Sequence, residues 1–303
     1  MKHNRFLFIA ILWAIGLSLP LQAQEGINEA KSIFWEVTGP GVRKPTYLFG
    51  THHLYDYGFI KNNKIILKKL KKADVVVGEI VIEPSTLMKV AMASIMPNKS
   101  LKELMNDKDY KATDACLKKY TGMGIFLYNK FKPIAIYQML MLQKYAKVLG
   151  MDLKKSGNSA MDEYFQKSAR NLNKKLVALE TVDDQLKVLY DGKPLKKQVE
   201  LLLEMVYDKD SLATQEIVKL NKMYQQQDLS GLHQLMKKTA SEKELELLLV
   251  NRNKKWIPKI ENLLKSGQSA FIAVGAGHLP GDFGVLYLLQ QKGYKVKPLR
   301  IKL

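Results

Sequence analysis

The sequence predicts an α/β protein. The expected architecture is a mostly parallel central sheet built from two strand-helix-strand halves, with a large helical insertion between them. Three observations predict it. Short runs rich in β-branched and aromatic residues, each followed by a helical pattern, occur near both ends of the chain. The middle, from about residue 85 to 174, carries helical periodicity alone. No repeat period marks a solenoid. With 303 residues and 47% apolar content, the chain can bury a large core.

The first element is an address rather than a structural unit. A basic start, Lys2 to Arg5, is followed by an apolar run over 6–19 and then by Pro20 and Ala23. That order predicts a signal peptide over 1–23, cleaved near Ala23, and an exported, periplasmic or secreted protein. The run falls short of the ~20 apolar residues of a comfortable membrane span. No later stretch predicts a transmembrane helix in the mature chain, and residues 24–303 are expected to form the folded domain.

Residues 32–38 alternate around Phe34, Trp35 and Val37 and predict a strand; Gly39-Pro40-Gly41 is a turn, and 46–49 a second strand. Ile66, Leu67 and Leu70 form an apolar stripe within a helix expected over 61–72, whose lysines fit a solvated face. Val75-Val76-Val77 suits a buried parallel strand. The helical middle opens a capping box at Ser100 and Glu103, runs a long helix from Pro133 to a stop at Gly150, and adds another over 161–171. Its methionines, among them Met88, Met92, Met96, Met139 and Met141, read as adaptable core filler. Strand character returns over 175–179. Helices follow to Lys265, with a capping box at Ser241 and Glu244. The chain closes with a strand over 270–274, a helix over 281–291 and a strand over 295–301.

Composition excludes several functions. One cysteine, Cys116, rules out an intrachain disulfide framework, a cysteine-based zinc finger and an iron–sulfur cluster, and it reads as a buried structural thiol. There is no Gly-x-Ser-x-Gly, no P-loop, no dinucleotide fingerprint and no His-Glu-x-x-His. The net charge of +19 first suggests nucleic acid, but export excludes that partner. The excess is mostly lysine scattered over helical faces. It leaves anionic envelope components or acidic substrates as the partners charge can select.

Two strands end in one signature. Residues 46–49 run into Gly50-Thr51-His52-His53, and 270–274 run into Gly275-Ala276-Gly277-His278. In open α/β sheets the loops after strand carboxyl ends hold the ligand, and glycine there permits sharp turns and close approach. If these strands neighbour each other, His53 and His278 converge. Glu79 and Glu180 each end a strand in the same sense. Two histidines and two carboxylates suit Zn, Mn, Fe or Co better than calcium, and such an ion activates water. Of the other histidines, His233 sits in a helical segment with no partner visible in sequence.

These pieces resemble the TraB/GumN family, which includes the animal Tiki proteins. The matching segments are Tyr47 to Leu54, the Glu79 strand, Leu179-Glu180-Thr181 with Asp184-Gln185, Asn251-Arg252-Asn253, and Val274 to Gly281. They follow the family's order and span most of the chain. The resemblance implies a fold similar to the erythromycin-esterase and ChaN-like group and a metal-dependent peptidase acting on a peptide or protein substrate. It implies His53, His278 and Glu79 as ligands of a divalent transition metal, and Glu180 as a further ligand or base. Arg252 is implied as an oxyanion stabiliser or as a partner of Glu180, with Asn253 in support. Asp162 is a weaker helical candidate. Two other functions fit the same residues: a non-catalytic periplasmic metal- or haem-binding protein, and an envelope interaction protein.

Overall fold

The computed structural model describes residues 30–52, 55, 57–151, 160–208 and 212–303. The expected signal peptide and His53 lie outside the described residues. Six strands form one sheet: β1 (Phe34–Thr38), β2 (Thr46–Thr51), β3 (Val75–Gly78), β4 (Lys175–Ala178), β5 (Ala270–Gly275) and β6 (Lys295–Pro298). Their order is β4-β3-β5-β2-β1-β6. The first four in that order run parallel, and β1 is antiparallel to both β2 and β6. The fold class is therefore the α/β arrangement expected from the sequence.

The order matters more than the class. β2 and β3 follow each other in sequence but do not touch, because β5 lies between them. The strand from the far end of the chain thus pairs with both. Thr51 at the end of β2 stands beside Gly275 at the end of β5. The four parallel strands all present their carboxyl ends at one edge of the sheet.

α1 (Gly58–Asn62) and α2 (Lys64–Lys72) replace the single helix expected over 61–72. Asn63 divides them, since its side chain accepts the N–H groups of Ile65 and Ile66 and starts α2 afresh. Ile66 and Leu70 turn inward as the stripe requires. Lys69 is not merely solvated: its ammonium donates to Glu36 Oε2 and Tyr47 Oη, each at 3.1 Å.

Between β3 and β4 come α3 (Pro84–Ala93), α4 (Leu101–Leu104), α5 (Asp107–Thr121), a 3₁₀ turn (Ile125–Tyr128), α6 (Pro133–Val148) and α7 (Met161–Asn171). Between β4 and β5 come α8 (Val182–Asp191), α9 (Leu195–Tyr207), α10 (Leu212–Gln225), α11 (Leu229–Thr239), α12 (Glu242–Leu245), a π-helical turn (Glu246–Val250) and α13 (Asn251–Lys265). α14 (Val285–Gln291) precedes β6 and starts four residues later than Gly281, which instead turns with positive φ.

The main core lies on the sheet. Phe49, Phe165 and Phe271 meet there with ring centroids 4.9 to 6.2 Å apart. A second cluster, including Leu101, Leu117, Ile136, Leu140 and Leu202, joins α4, α5, α6 and α9. Cys116 is only partly buried against this second cluster, so it is not the enclosed thiol the sequence suggested. The methionines divide. Met96 and Met105 are core, whereas Met88 and Met92 on α3 are 69% and 71% exposed.

Candidate active site

Parallel pairing of β3 with β4 sets Glu79 and Glu180, the first residue and the second residue past their respective strands, side by side at the carboxyl edge. The Glu180 N–H donates to the Glu79 carbonyl at 2.9 Å. Both side chains turn toward α13. That helix follows the π-helical turn, a widened turn of the kind often found at functional sites. Arg252, Asn253 and Trp256 lie on one face of its first turns and point back at the sheet.

Arg252 ties the site together. Its Nε donates to Glu180 Oε2 at 3.0 Å, and its Nη2 donates to Glu180 Oε1 and Glu79 Oε2, each at 2.5 Å. Nη1 donates to Leu248 O and lies 3.0 Å from His278 Nε2. The side chains of Arg252, Glu79, Glu180 and His278 are 5 to 11% exposed. Burial alone would lower the pKa of the guanidinium. The hydrogen bonds and charges of Glu180 and Glu79 outweigh it and hold Arg252 above its ordinary value.

Arginine can only donate, so His278 Nε2 must accept. The ring proton is then on Nδ1, which donates to Asn253 Oδ1 at 2.7 Å. Asn253 is itself oriented, since its Nδ2 donates to the carbonyls of His278 (3.2 Å) and Phe283 (2.7 Å). Trp256 covers the imidazole, ring centroids 4.4 Å apart, and the Arg252 guanidinium lies over the same indole. His278 is thus a neutral imidazole with one tautomer fixed and the Nε2 lone pair directed at Arg252 Nη1.

Glu79 divides its oxygens. Oε2 accepts from Arg252 and from Gln185 Nε2 (3.1 Å). Oε1 accepts the Gly275 N–H (2.8 Å) and faces His278 Nε2 at 3.8 Å. Gln185 also donates to Glu180 Oε1 at 3.0 Å, so one amide bridges both carboxylates. The sequence singled out Gln185 only as part of a family match. It missed Trp256 and the Gly275 N–H, although Trp256 stands four residues after Arg252 and so shares its helix face.

The first histidine box has different supports. Gly50 is pressed against the second box: a Cβ there would lie 2.9 Å from Leu279 Cδ1 and 3.1 Å from Ala276 Cα. Only glycine lets the two boxes meet this closely. Tyr224 Oη donates to Gly50 O at 2.8 Å, and Thr51 Oγ1 donates to Asp162 Oδ1 at 2.9 Å. The His52 ring lies among Tyr55, Tyr145 and Tyr224, with centroids 5.1 to 6.2 Å away. Burial pushes the Tyr145 and Tyr224 hydroxyls well above the usual range, so both stay neutral donors. Asp162 thereby contacts the first box directly. His233 packs instead against Gly281, and desolvation lowers its pKa.

The donors can be tested against a metal ion. Two ligands bound at ~2.0–2.2 Å to one ion lie about 3 to 4 Å apart, so the separation of His278 Nε2 and Glu79 Oε1 fits a shared ion. The four side chains themselves, two carboxylates, one guanidinium and a neutral imidazole, sum to a charge of about −1. Glu180 is held on both oxygens by Arg252 and Gln185. Among the described residues no group of three or more histidine, cysteine or acidic side chains is arranged to hold a metal. The described pair is spaced for an ion, but the single Nε2 lone pair of His278 accepts from Arg252 Nη1. An ion would take that lone pair only by displacing this hydrogen bond, and the set needs at least one donor beyond the pair. A cleft of about 770 Å³ opens on Glu180 and Arg252 and is lined also by Lys187, Leu247, Lys255 and Trp256.

Comparison with known proteins identifies the family. The model of the TraB/PrgY/gumN family matches residues 33–298. "Metalloprotease TIKI2" of Danio rerio is 24% identical over 89% of this chain and 61% of its own length. "Metalloprotease TIKI2" of Xenopus tropicalis is 24% identical over 91% and 61%, and "Metalloprotease TIKI1" of the same organism 23% over 89% and 62%. The chain thus spans about three fifths of the length of these curated relatives. No solved structure gives a significant match. With both boxes, both carboxylates and the Asn251-Arg252-Asn253 turn inside the matched segment, the chain belongs to the TraB/PrgY/gumN family.

Proposed function

We propose that this chain is an exported, metal-dependent peptidase. The observation that carries the reading is the meeting of Glu79, Glu180, Arg252 and His278 at the carboxyl edge, beside Gly50 and Thr51 at the start of the first box. The relatives' printed names, which call them metalloproteases, support it.

In this reading His278 Nε2, once it exchanges its hydrogen bond from Arg252 Nη1 for the ion, and Glu79 Oε1 would hold the ion together with His53. A bound divalent transition metal, of the Mn, Co, Zn or Fe class, would supply Lewis acidity toward the scissile carbonyl and lower the pKa of water. The chain's own groups do the rest. Asn253 keeps the proton on His278 Nδ1 and so keeps Nε2 basic. Arg252 offers positive charge to an oxyanion formed as water adds to the carbonyl. Glu180 takes the proton of the attacking water and returns it to the departing amine as the C–N bond breaks. The cleft beside Glu180 and Arg252 receives the peptide.

The test combines metal content with turnover on a fluorogenic peptide mixture. Chelator-treated protein should lose activity and regain it with one of these metals. His278→Ala and Glu79→Ala should lose both bound metal and activity. Asn253→Ala, which removes only the support, should cost about 10–100-fold. Unchanged metal content and turnover in His278→Ala and Glu79→Ala would overturn the assignment. Export is tested separately, by sequencing the amino terminus of the protein recovered outside the cytoplasm, which should begin near Gln24.

A further inference from the structure

We propose that the outward face of α3, with the adjoining 3₁₀ turn, seats this protein on an anionic lipid surface. The reason begins with where apolar side chains are left uncovered. Twelve large hydrophobic residues are exposed among the described residues. Seven of them, Leu87, Met88, Met92, Ile95, Met123, Phe126 and Leu127, fall between residues 87 and 127. Phe126 is 84% exposed. Scattered exposed apolar residues are ordinary, but a concentration in one region marks an interaction surface.

The placement on α3 is regular. Thr86 is buried, and Val90 and Ala93 pack against the cluster formed by Ile134, Leu186 and Tyr190. These positions lie three or four residues apart and are the helix's inner face. Leu87, Met88, Ala91 and Met92 lie on the other face at the same helical spacing, and Ile95 extends the row past the helix end. α3 is therefore apolar on both faces while packing with only one, a pattern that leaves the second face without a partner among the described residues.

The 3₁₀ turn is tied to the same place. Met96 N–H donates to Lys130 O, Lys132 N–H to Ser94 O and Leu101 N–H to Asn129 O, at 2.7 to 2.8 Å. These bonds clamp the segment leaving α3 to the segment leaving the turn. Ile125 is buried there, while Phe126 and Leu127 turn outward.

Charge selects the occupant. Residues 84–132 contain nine lysines and four acidic residues. Lys99 and Lys130 are exposed beside the clamp, and neither has an ion-pair partner among the described residues. Uncovered methionine, leucine and phenylalanine with lysines beside them match a surface with an apolar interior and negative headgroups. No helix among the described residues is long and apolar enough to cross a membrane, so contact is along the surface. Ten residues make α3 about 15 Å long, suited to lying in the headgroup region.

Vesicle flotation tests the proposal on protein beginning at Gln24, which keeps every described element and removes the apolar run over 6–19. Binding is compared on phosphatidylcholine vesicles and on vesicles containing phosphatidylglycerol. The expected result is binding to the anionic vesicles that weakens as salt rises. The triple variant Met88→Glu, Met92→Glu, Phe126→Glu should weaken it by about tenfold or more. Lys99→Glu with Lys130→Glu should weaken it more than Lys295→Glu with Lys297→Glu, an equal charge change on the exposed edge strand β6. Circular dichroism checks that each variant is folded. Absence of vesicle binding, or binding unmoved by the triple variant, overturns the proposal. Loss of peptide turnover in the triple variant with vesicle binding intact also overturns it, and assigns the face to a protein substrate. The peptidase reading stands or falls on the His278→Ala and Glu79→Ala variants independently.

Discussion

The two histidine boxes share a signature and pack against each other, yet they are held in unlike ways. The second box is fixed by charge. His278 is caught between Asn253 and Arg252, and Arg252 in turn is caught between two carboxylates. The first is fixed by neutral donors in aromatic surroundings, chiefly Tyr224 on Gly50, with the Thr51–Asp162 bond beside it. A strand followed by Gly-x-x-His therefore specifies where the chain turns at the strand's end. It does not specify what supports that turn. The division suits the proposed chemistry at the second box, where the charged shell surrounds Glu79 and His278 and includes the Arg252 meant to meet an oxyanion.

The comparison is broken most directly at Arg252. Arg252→Met leaves Glu79 and Glu180 buried together without their counter-charge, and should cost about 3–5 kcal/mol in denaturant unfolding. Adding Glu180→Gln to that variant should recover part of the loss, because it removes one of the two uncompensated charges. A cost below about 1 kcal/mol for Arg252→Met would end the view that charge holds the second box.

Gly281 supplies a purely steric test of the same loop. Its φ is +83°, and a Cβ would lie 2.3 Å from the His233 ring. Gly281→Ala should cost about 2–4 kcal/mol, combining left-handed strain with overpacking. In a His233→Ala background the same substitution should cost less, since only the backbone part remains. Equal costs in both backgrounds would show that the ring contact carries no energy.

The smallest effect is expected at the first box. Tyr224→Phe removes the donor to the buried Gly50 carbonyl and should cost about 1–2 kcal/mol. It should leave the His278 Nδ1–H resonance in imidazole NMR unmoved. A shift of that resonance would mean the boxes are coupled electronically as well as packed, and the contrast between them would have to be redrawn.

Much of this was legible in the chain because it depends on local rules. Val75-Val76-Val77 reads as a buried parallel strand, and β3 is buried throughout. Ser100 with Glu103 and Ser241 with Glu244 read as capping boxes, and each closes as one. The parts that were not legible depend on neighbours distant in sequence. Asn63 divides a helix because its side chain competes for the N–H groups of the next turn, which a stripe of leucine and isoleucine does not reveal. Met88 and Met92 carry core-like spacing but remain uncovered, because periodicity shows that a face is apolar and not whether anything lies against it.

The sequence by itself determined the fold class, the two glycine–histidine turns, the strand-end carboxylates and the family, because these follow from residue type, spacing and short-range hydrogen bonding. The tertiary structure alone decided that β5 enters between β2 and β3. That insertion brings Gly50 against Ala276 and joins residues from opposite ends of the chain. It also decided the tautomer of His278, since Arg252 can only donate and Asn253 must therefore accept. Strand order and proton position are set by long-range pairing, and no local pattern contains the partner.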